Sequence, residues 1–251
     1  MIPRLYLPQL PASADAGLEW IANSAQSHYL ARVLRLRSGD PVQIFDGRGN
    51  RFAARLLPSE REACRLRLTS VEQSNPPPRV SICLAQCLAT GDKMDWIIEK
   101  AVELGVSRIV ALKAERCQLR LDAERAERRR DHWQRIVEAA CMQCGQDHLP
   151  QLVGPLSLPE WLSTLRTDEA QAAQQRRLLD PDAPQTLSET GLTPKDSVTL
   201  LVGPESGLSD AEIRAAVNCG FHRARMGTHI LRTETAGLAA IATLQTLAGE
   251  Y

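Results

Sequence analysis

LLVGPESGLSDAEI (residues 200–213) and MGTHILRTETAGLAAIATLQTL (residues 226–247) decide how the rest of the chain is read. Val198–Val202 is a short, nearly continuous apolar run, the pattern of a strand buried on both faces. It breaks at Gly203-Pro204, and Gly207 follows. Ser209 and Glu212 then form an S-x-x-E capping box, so a helix starts there and ends near Gly220. Phe221 to Met226 reads as a second short strand, and Gly227 opens another turn. The last helix begins between Thr233 and Thr235 and is apolar on nearly every side, which predicts burial. Two strand–turn–helix units bring two glycine turns and two helix N-termini together, offering backbone N–H groups to a ligand. The first turn is not a Walker loop, because no Gly-Lys-Ser/Thr follows, and it is not G-x-G-x-x-G. Arg232, Thr233 and Glu234 form a polar cluster at the mouth of an apolar helix, which is costly unless it faces solvent or is used.

GPESGLSDAEI followed by G-x-x-ILRTETA resembles the SPOUT methyltransferases, and within them the small-subunit ribosomal RNA uridine-N3 methyltransferases, RsmE. Ser206 stands where that family usually has glycine, and Thr228-His229 where a basic residue is frequent. His28 to Gly49 and GDKMDWIIEKAVELG (residues 91–105) are similar to the family at the corresponding places. The resemblance implies an N-terminal β-rich, PUA-like RNA-binding domain. After it comes a SPOUT α/β domain with a parallel sheet, a deep trefoil knot and a homodimer built on the knot region. It implies S-adenosylmethionine as cofactor, no metal, and N3 of a decoding-region uridine in 16S ribosomal RNA as the methyl acceptor. Leu179, Leu201, Gly203, Pro204, Glu205, Gly207, Met226, Gly227, Ile230, Leu231, Arg232 and Thr233 are then the expected cofactor residues. Arg232 and Glu205 are the expected catalytic ones, with Arg232 facing negative charge that spreads onto the uracil carbonyls. Arg4, Arg32, Arg35, Arg37, Arg48 and Lys93 are the expected RNA contacts. Two other readings stay open: a SPOUT enzyme acting on a ribose 2′-hydroxyl or on tRNA, and a non-catalytic RNA-binding factor of ribosome assembly.

At 251 residues the chain is long enough for one large or two modest domains. No apolar run reaches membrane-spanning length and no signal-peptide pattern is present, so a cytoplasmic protein with no membrane partner is expected. Seven scattered cysteines argue against a disulfide framework. Cys141 and Cys144 form a lone C-x-x-C with no second pair and no paired histidines, so no zinc site is expected. Thirty basic and thirty acidic residues cancel, which says nothing for nucleic acid at the level of the whole chain. Of the basic residues 26 are arginine, a side chain suited to phosphate forks.

Asn75-Pro76-Pro77-Pro78 is the best linker, being stiff and unable to continue a ladder. It divides the chain into residues 1–75 and 76–251. Before it, Leu5–Leu7, Val42–Phe45, Arg51–Leu57 and Arg65–Val71 read as strands, and Ser24–Leu34 as a helix with Leu30, Val33 and Leu34 on its apolar side. After it, strand 80–88, helix 91–106 and strand 107–112 make a βαβ unit with a right-handed crossover. A long helix at 121–145, a short one at 156–165, a polar connection at 166–177 and a strand ending at Asp180-Pro181-Asp182 follow. Residues 186–196 read as a loop or short helix. Alternation of this kind predicts a doubly wound parallel sheet with its ligand at the carboxyl ends of the strands.

Overall fold

The computed structural model describes residues 2–11, 13–58, 63–73, 75–118, 122–167, 175–191 and 197–251, and the side chains of 166–167 are not described. Parts of the expected polar connection (168–174) and of the segment 186–196 (192–196) therefore lie outside the described residues. Two compact units emerge. One is Met1–Pro77 together with Cys141–Leu149, and the other is Pro78–Ala140 together with Pro150–Tyr251.

The first unit is a five-stranded sheet. Its strands are β1 (Arg4–Tyr6), β2 (Glu19–Ile21), β3 (Pro41–Phe45), β4 (Arg51–Leu57) and β5 (Arg65–Glu72), in the order β1-β3-β4-β5-β2. The β1–β3 pair is parallel and the others are antiparallel. Alternation in β4 buries Phe52, Ala54 and Leu56 against Leu66 and Leu68 of β5, as a sheet with one wet face requires. The short helix α1 (Ser24–His28) starts at Asn23, whose side chain makes a reciprocal capping box with Gln26. It does not continue to Leu34 as an α-helix but widens into a π turn over Tyr29–Val33. The wider turn rotates the residues after it. Leu30 stays buried, whereas Val33, expected on the apolar side, is 59% exposed. β2 carried no clear pattern in the sequence and is found by its pairing with β5.

The second unit holds an all-parallel six-stranded sheet. Its strands are β6 (Ile82–Cys87), β7 (Arg108–Lys113), β8 (Gln151–Ser157), β9 (Gln175–Leu179), β10 (Val198–Val202) and β11 (Phe221–Ala224), in the order β11-β9-β10-β6-β7-β8. Every residue of β10 is buried, as its unbroken apolar run predicts. Helices α2 (Lys93–Glu103), α3 (Ala123–Cys144, whose residues 141–144 belong to the first unit), α4 (Leu158–Thr167), α5 (Asp210–Asn218) and α6 (Thr233–Leu247) complete the unit. In α2, Met94, Ile97, Ile98 and Ala101 are buried on one face. Asp95, in the first turn of α2, accepts the Trp133 indole N–H at 3.0 Å and lies 2.7 Å from His132 Nε2, tying α3 to α2. The predicted capping box of α5 forms: the Glu212 N–H donates to Ser209 Oγ and the Ser209 N–H to Glu212 Oε2. The spare Glu212 oxygen accepts from the Glu115 N–H at 2.7 Å. Strand order reverses between β6 and β10, the place where open α/β sheets leave a crevice at their carboxyl ends. No helix among the described residues is long and apolar enough to cross a membrane. None of the seven cysteines is in a disulfide.

Candidate functional site

At the carboxyl ends of the strands lies a cavity of about 610 Å³, within the usual range for a small-molecule site. Three loops build it, each starting where a strand ends: Leu179–Asp182 after β9, Val202–Leu208 after β10, and Arg225–Leu231 after β11. The first turn of α6 closes it with Arg232, Thr233 and Glu234. Each loop is anchored. The Asp180 N–H donates to the Ala224 carbonyl, and its carboxylate takes the Arg223 Nε–H at 2.5 Å and the Asp182 N–H at 3.0 Å. Arg225 donates to the Ala183 and Pro184 carbonyls. Thr233 Oγ1 donates to the Gly203 carbonyl at 2.6 Å and accepts from Gln86 Nε2 at 3.0 Å. Gln86 is fully buried in β6, so the start of α6 and the glycine turn after β10 share one buried hydrogen-bond chain.

The turn glycines differ in what they need. Gly207 sits at φ +71°, a conformation that a side chain strains. A Cβ on Gly203 would press on Leu208 at 3.3 Å, whereas one on Gly227 would meet nothing within 4 Å. Ser206 has no positive φ, so the backbone there does not require glycine.

Of the twelve expected cofactor residues, eleven line this one cavity; Leu201 does not. Leu201 is fully buried inside β10 and packs in the core, which corrects its assignment to the ligand surface. Arg232 stands at the N-cap position of α6 without a side-chain capping bond, its side chain is 83% exposed, and it reaches Glu234 only at 3.9 Å. A contact that long and that wet is worth little, so the guanidinium is available to a substrate.

Glu205 is a different kind of group from the expected catalytic one. Its Oε1 accepts from the Thr90 N–H at 2.9 Å, the Thr90 hydroxyl at 2.8 Å and Lys93 Nζ at 3.1 Å. Burial pushes its carboxyl up, but these hydrogen bonds outweigh it and hold the pKa at about 2. A carboxylate that acidic is a poor proton acceptor, so Glu205 acts as a clamp between the β6–α2 turn and the glycine loop. Lys93, expected to touch RNA, lines the cavity with its Nζ 3.1 Å from Glu205 and 3.7 Å from Glu234. Thr90 left no signal in the sequence, being 115 residues from its partner. Gln86 did leave one, as a polar residue inside the apolar run of β6, because a buried amide needs partners.

The expected RNA arginines separate into three groups. Arg32, Arg35 and Arg37 are exposed on the segment after α1, with no side-chain partner among the described residues. Arg48 is exposed but tethered to the Asp46 carboxylate at 3.0 Å and to the Leu10 carbonyl at 2.8 Å. Arg4 corrects the expectation. It is 7% exposed, pairs with Asp147 at 2.5 Å, donates to the Cys141 carbonyl at 3.0 Å and stacks over the Phe45 ring at 4.5 Å. Burial pulls its pKa down, and Asp147 partly offsets that. A guanidinium used in this way cannot also reach a phosphate. Arg65 and Arg67, on the wet face of β5, are both held by Glu19. Among the described residues no cluster of three His, Cys, Asp or Glu side chains is placed to hold a metal ion.

Comparison with known proteins adds the following. Residues 75–245 match the family described as RNA methyltransferase domain, and residues 21–69 match RNA methyltransferase PUA domain. The chain is 30% identical to ribosomal RNA small subunit methyltransferase E of Buchnera aphidicola from Schizaphis graminum, over 99% of this chain and 98% of that one. It is 33% identical to the protein of the same name from Synechocystis, over 89% and 72%. Among solved structures it is similar to a methyltransferase from Legionella pneumophila in complex with the bound cofactor SAM, with a TM-score of 0.89, 30% identity and 98% of each chain covered. It is also similar to ribosomal RNA small subunit methyltransferase E from Neisseria gonorrhoeae bound to S-adenosyl methionine, with a TM-score of 0.87, 31% identity and 98% of each chain covered.

Proposed function

The chain belongs to the ribosomal RNA small subunit methyltransferase E family, and from that premise we propose that it transfers the methyl group of S-adenosylmethionine to N3 of a decoding-region uridine in 16S ribosomal RNA. The observation that carries this reading is the cavity itself. Three loops from the ends of β9, β10 and β11 converge there, rich in backbone groups, with an unencumbered arginine at the mouth. The loops at 179–182, 203–207 and 226–232 hold the cofactor, largely through backbone contacts. The cofactor supplies a methyl group already activated on a sulfonium, so the protein's task is orientation and charge stabilisation.

Neutral uracil is a poor nucleophile at N3 because its imide proton occupies the reacting lone pair. As that proton leaves, negative charge spreads to the two ring carbonyls. A guanidinium is a delocalised cation that matches such charge, and the N-terminal end of α6 adds positive potential beside Arg232. Its guanidinium stabilises the charge that grows in the transition state. Arg32, Arg35 and Arg37 bind phosphates of the RNA. The homodimer has its support in α2 and α6, which pack on each other and leave Trp96 (53% exposed) and Leu247 (45% exposed) on their outer surfaces. Sedimentation at micromolar concentration is expected to give twice the 27.7 kDa of one chain; a 27.7 kDa species alone removes the dimer. The trefoil knot is part of the same reading, supported by α6 returning from the edge strand β11 to pack over β10 and β6.

The test is mass mapping of ribosomal RNA from a strain lacking the gene, complemented with the wild-type protein or with Arg232→Ala. The wild type is expected to restore N3-methyluridine at one 16S position. In purified enzyme Arg232→Ala is expected to lower kcat by about two orders of magnitude, the usual cost of losing one transition-state donor, with little change in cofactor affinity. A restored ribose methyl or a tRNA product overturns the N3 assignment. A rise in cofactor Kd with kcat intact moves Arg232 to binding.

A further inference from the structure

We infer that Glu234 is the proton acceptor for the uridine N3–H, with Lys93 holding its carboxylate in place; this rests on the N3-methylation reading above. Two carboxylates flank Lys93 at the cavity, and the structure treats them oppositely. Glu205 takes three donors on its Oε1. Glu234 lines the cavity with its side chain 16% exposed, and its Oε2 is buried without a hydrogen-bond partner among the described residues. Lys93 Nζ stands 3.7 Å from that oxygen, and Arg232 lies 3.9 Å from the other. A buried carboxylate oxygen left unmatched is costly in a resting protein, and a polar atom kept so beside a ligand cavity is set to receive a donor. The donor that the chemistry brings is the imide N–H.

The placement also orders the reaction. Glu234 occupies the first turn of α6, two residues from Arg232. One short segment therefore carries both the group that takes the proton and the group that faces the developing negative charge. The N3–H bond breaks toward Glu234 Oε2 as the N3–CH3 bond forms and the CH3–S bond breaks. The sulfonium becomes a neutral thioether, and the carboxylate becomes a carboxylic acid. A carboxylate is a weak base for an imide, so proton transfer runs together with methyl transfer and not before it. The acid then releases its proton to solvent through the open mouth, where Arg232 is exposed. The other charged and titratable groups facing this cavity are Lys93, Asp180, Asp182, Glu205, Arg225 and His229. Of these, Asp180 and Glu205 have their donors already.

The experiment is single-turnover methylation of unmodified small-subunit RNA, or of subunits from a strain lacking the gene, at saturating S-adenosylmethionine from pH 6 to pH 9. Wild type, Glu234→Gln and Glu234→Asp are compared, with cofactor affinity measured by calorimetry. Glu234→Gln is expected to keep its cofactor affinity and to lose about a hundredfold or more in rate at pH 7, the usual worth of a general base. Its deficit is expected to shrink as pH rises and hydroxide substitutes for the missing base, and Glu234→Asp should recover part of the rate. The wild type is expected to show a solvent deuterium isotope effect on the same step, a readout that does not depend on any variant folding. A full rate in Glu234→Gln, a deficit that saturating cofactor abolishes, a deficit equal at every pH, or no isotope effect each overturns the role of Glu234. The wild-type product is mapped in the same runs. Absence of N3-methyluridine there overturns the functional reading itself, an outcome distinct from the four that concern Glu234 alone.

Discussion

Among single residues, two side chains that look alike in the sequence have opposite roles. Glu205 and Glu234 are both acidic residues beside glycine turns or a helix start, and only their partners separate them. The Glu205 clamp makes a signed prediction. Its folded pKa of about 2 lies below its ordinary value of 4.5, so the stability it contributes is complete above pH 4.5 and is lost as pH falls toward 2. Glu205→Gln is expected to melt below the wild type at pH 7, with the gap closing between pH 4.5 and 2. Equal melting temperatures at pH 7 would show that the clamp contributes nothing. Gly227 offers a complementary test of the cavity. A Cβ there meets nothing in the protein, so the fold tolerates Gly227→Val. Cofactor affinity measured by calorimetry is expected to fall by tenfold or more, about 1.4 kcal/mol, because the added methyls fill ligand space. Unchanged affinity would move the cofactor away from this turn.

Among the elements, arginine is used as a helix cap. Arg176 in β9 is 8% exposed, and its guanidinium donates to the Cys219 carbonyl at 2.5 Å and the Leu165 carbonyl at 3.3 Å. These are end carbonyls of α5 and α4, groups that a helix cannot satisfy within itself. Neighbouring Arg177 is buried too, its pKa lowered by desolvation, and it donates to the Thr190 carbonyl at 3.1 Å. Arg176→Met keeps the apolar stem and strands the carbonyls. It is expected to cost about 1–3 kcal/mol in urea unfolding, the penalty of a buried unsatisfied polar group. A loss below about 0.5 kcal/mol would mean that water replaces the guanidinium at both ends. At α6 the corresponding link is Gln86–Thr233–Gly203, which sets where the helix begins and hence where Arg232 and Glu234 stand.

In the whole molecule, the chain contributes to its first unit twice. After Pro77 it builds the first part of the second unit (78–140), returns residues 141–149 to the first, and then completes the second (150–251). Asp147 is the anchor of that return. Fully buried, it receives Arg4 at 2.5 Å, Arg51 at 3.3 Å and the Asn75 N–H at 2.9 Å. Asp147→Ala leaves the Arg4 guanidinium buried without its counter-charge. It is expected to destabilise the first unit by about 3–5 kcal/mol, as breaking a buried pair does, and thermal or urea unfolding measures it. A loss under about 1 kcal/mol would mean that the segment is held by its backbone pairing at Gly47 and Leu149 instead. Replacing Arg32, Arg35 and Arg37 jointly by alanine should weaken RNA binding and lower the slope of log K against log salt by about one per lost contact. An identical slope returns these residues to an ordinary solvated surface.

Patterns that depend only on neighbours along the chain were legible in advance. The apolar run of β10, the capping box of α5, the apolar stripe of α2, the strands β3, β4 and β5 and the glycine breaks all follow from steric and burial rules acting within a few residues. The cavity was legible too, since loops that follow parallel strands share one edge of the sheet, and eleven residues read as its lining do line it. Element types that depend on a distant partner were not legible. β2 has a weak pattern of its own and exists by pairing with β5, and β8, with Gly154 and Pro155 inside it, was not expected as a strand, its last two residues being read into the helix at 156–165, and exists by pairing with β7. Charges were the least legible of all. Arg4, Arg48 and Lys93 looked like the same surface cation as Arg32, because an arginine or lysine carries no local sign of its counter-ion. Asp147 lies 143 residues from Arg4, and Glu205 lies 112 residues from Lys93. Backbone periodicity is written in the sequence because it is set within one or two turns of chain, whereas the role of a charge is set by whatever the fold places within a few ångströms of it.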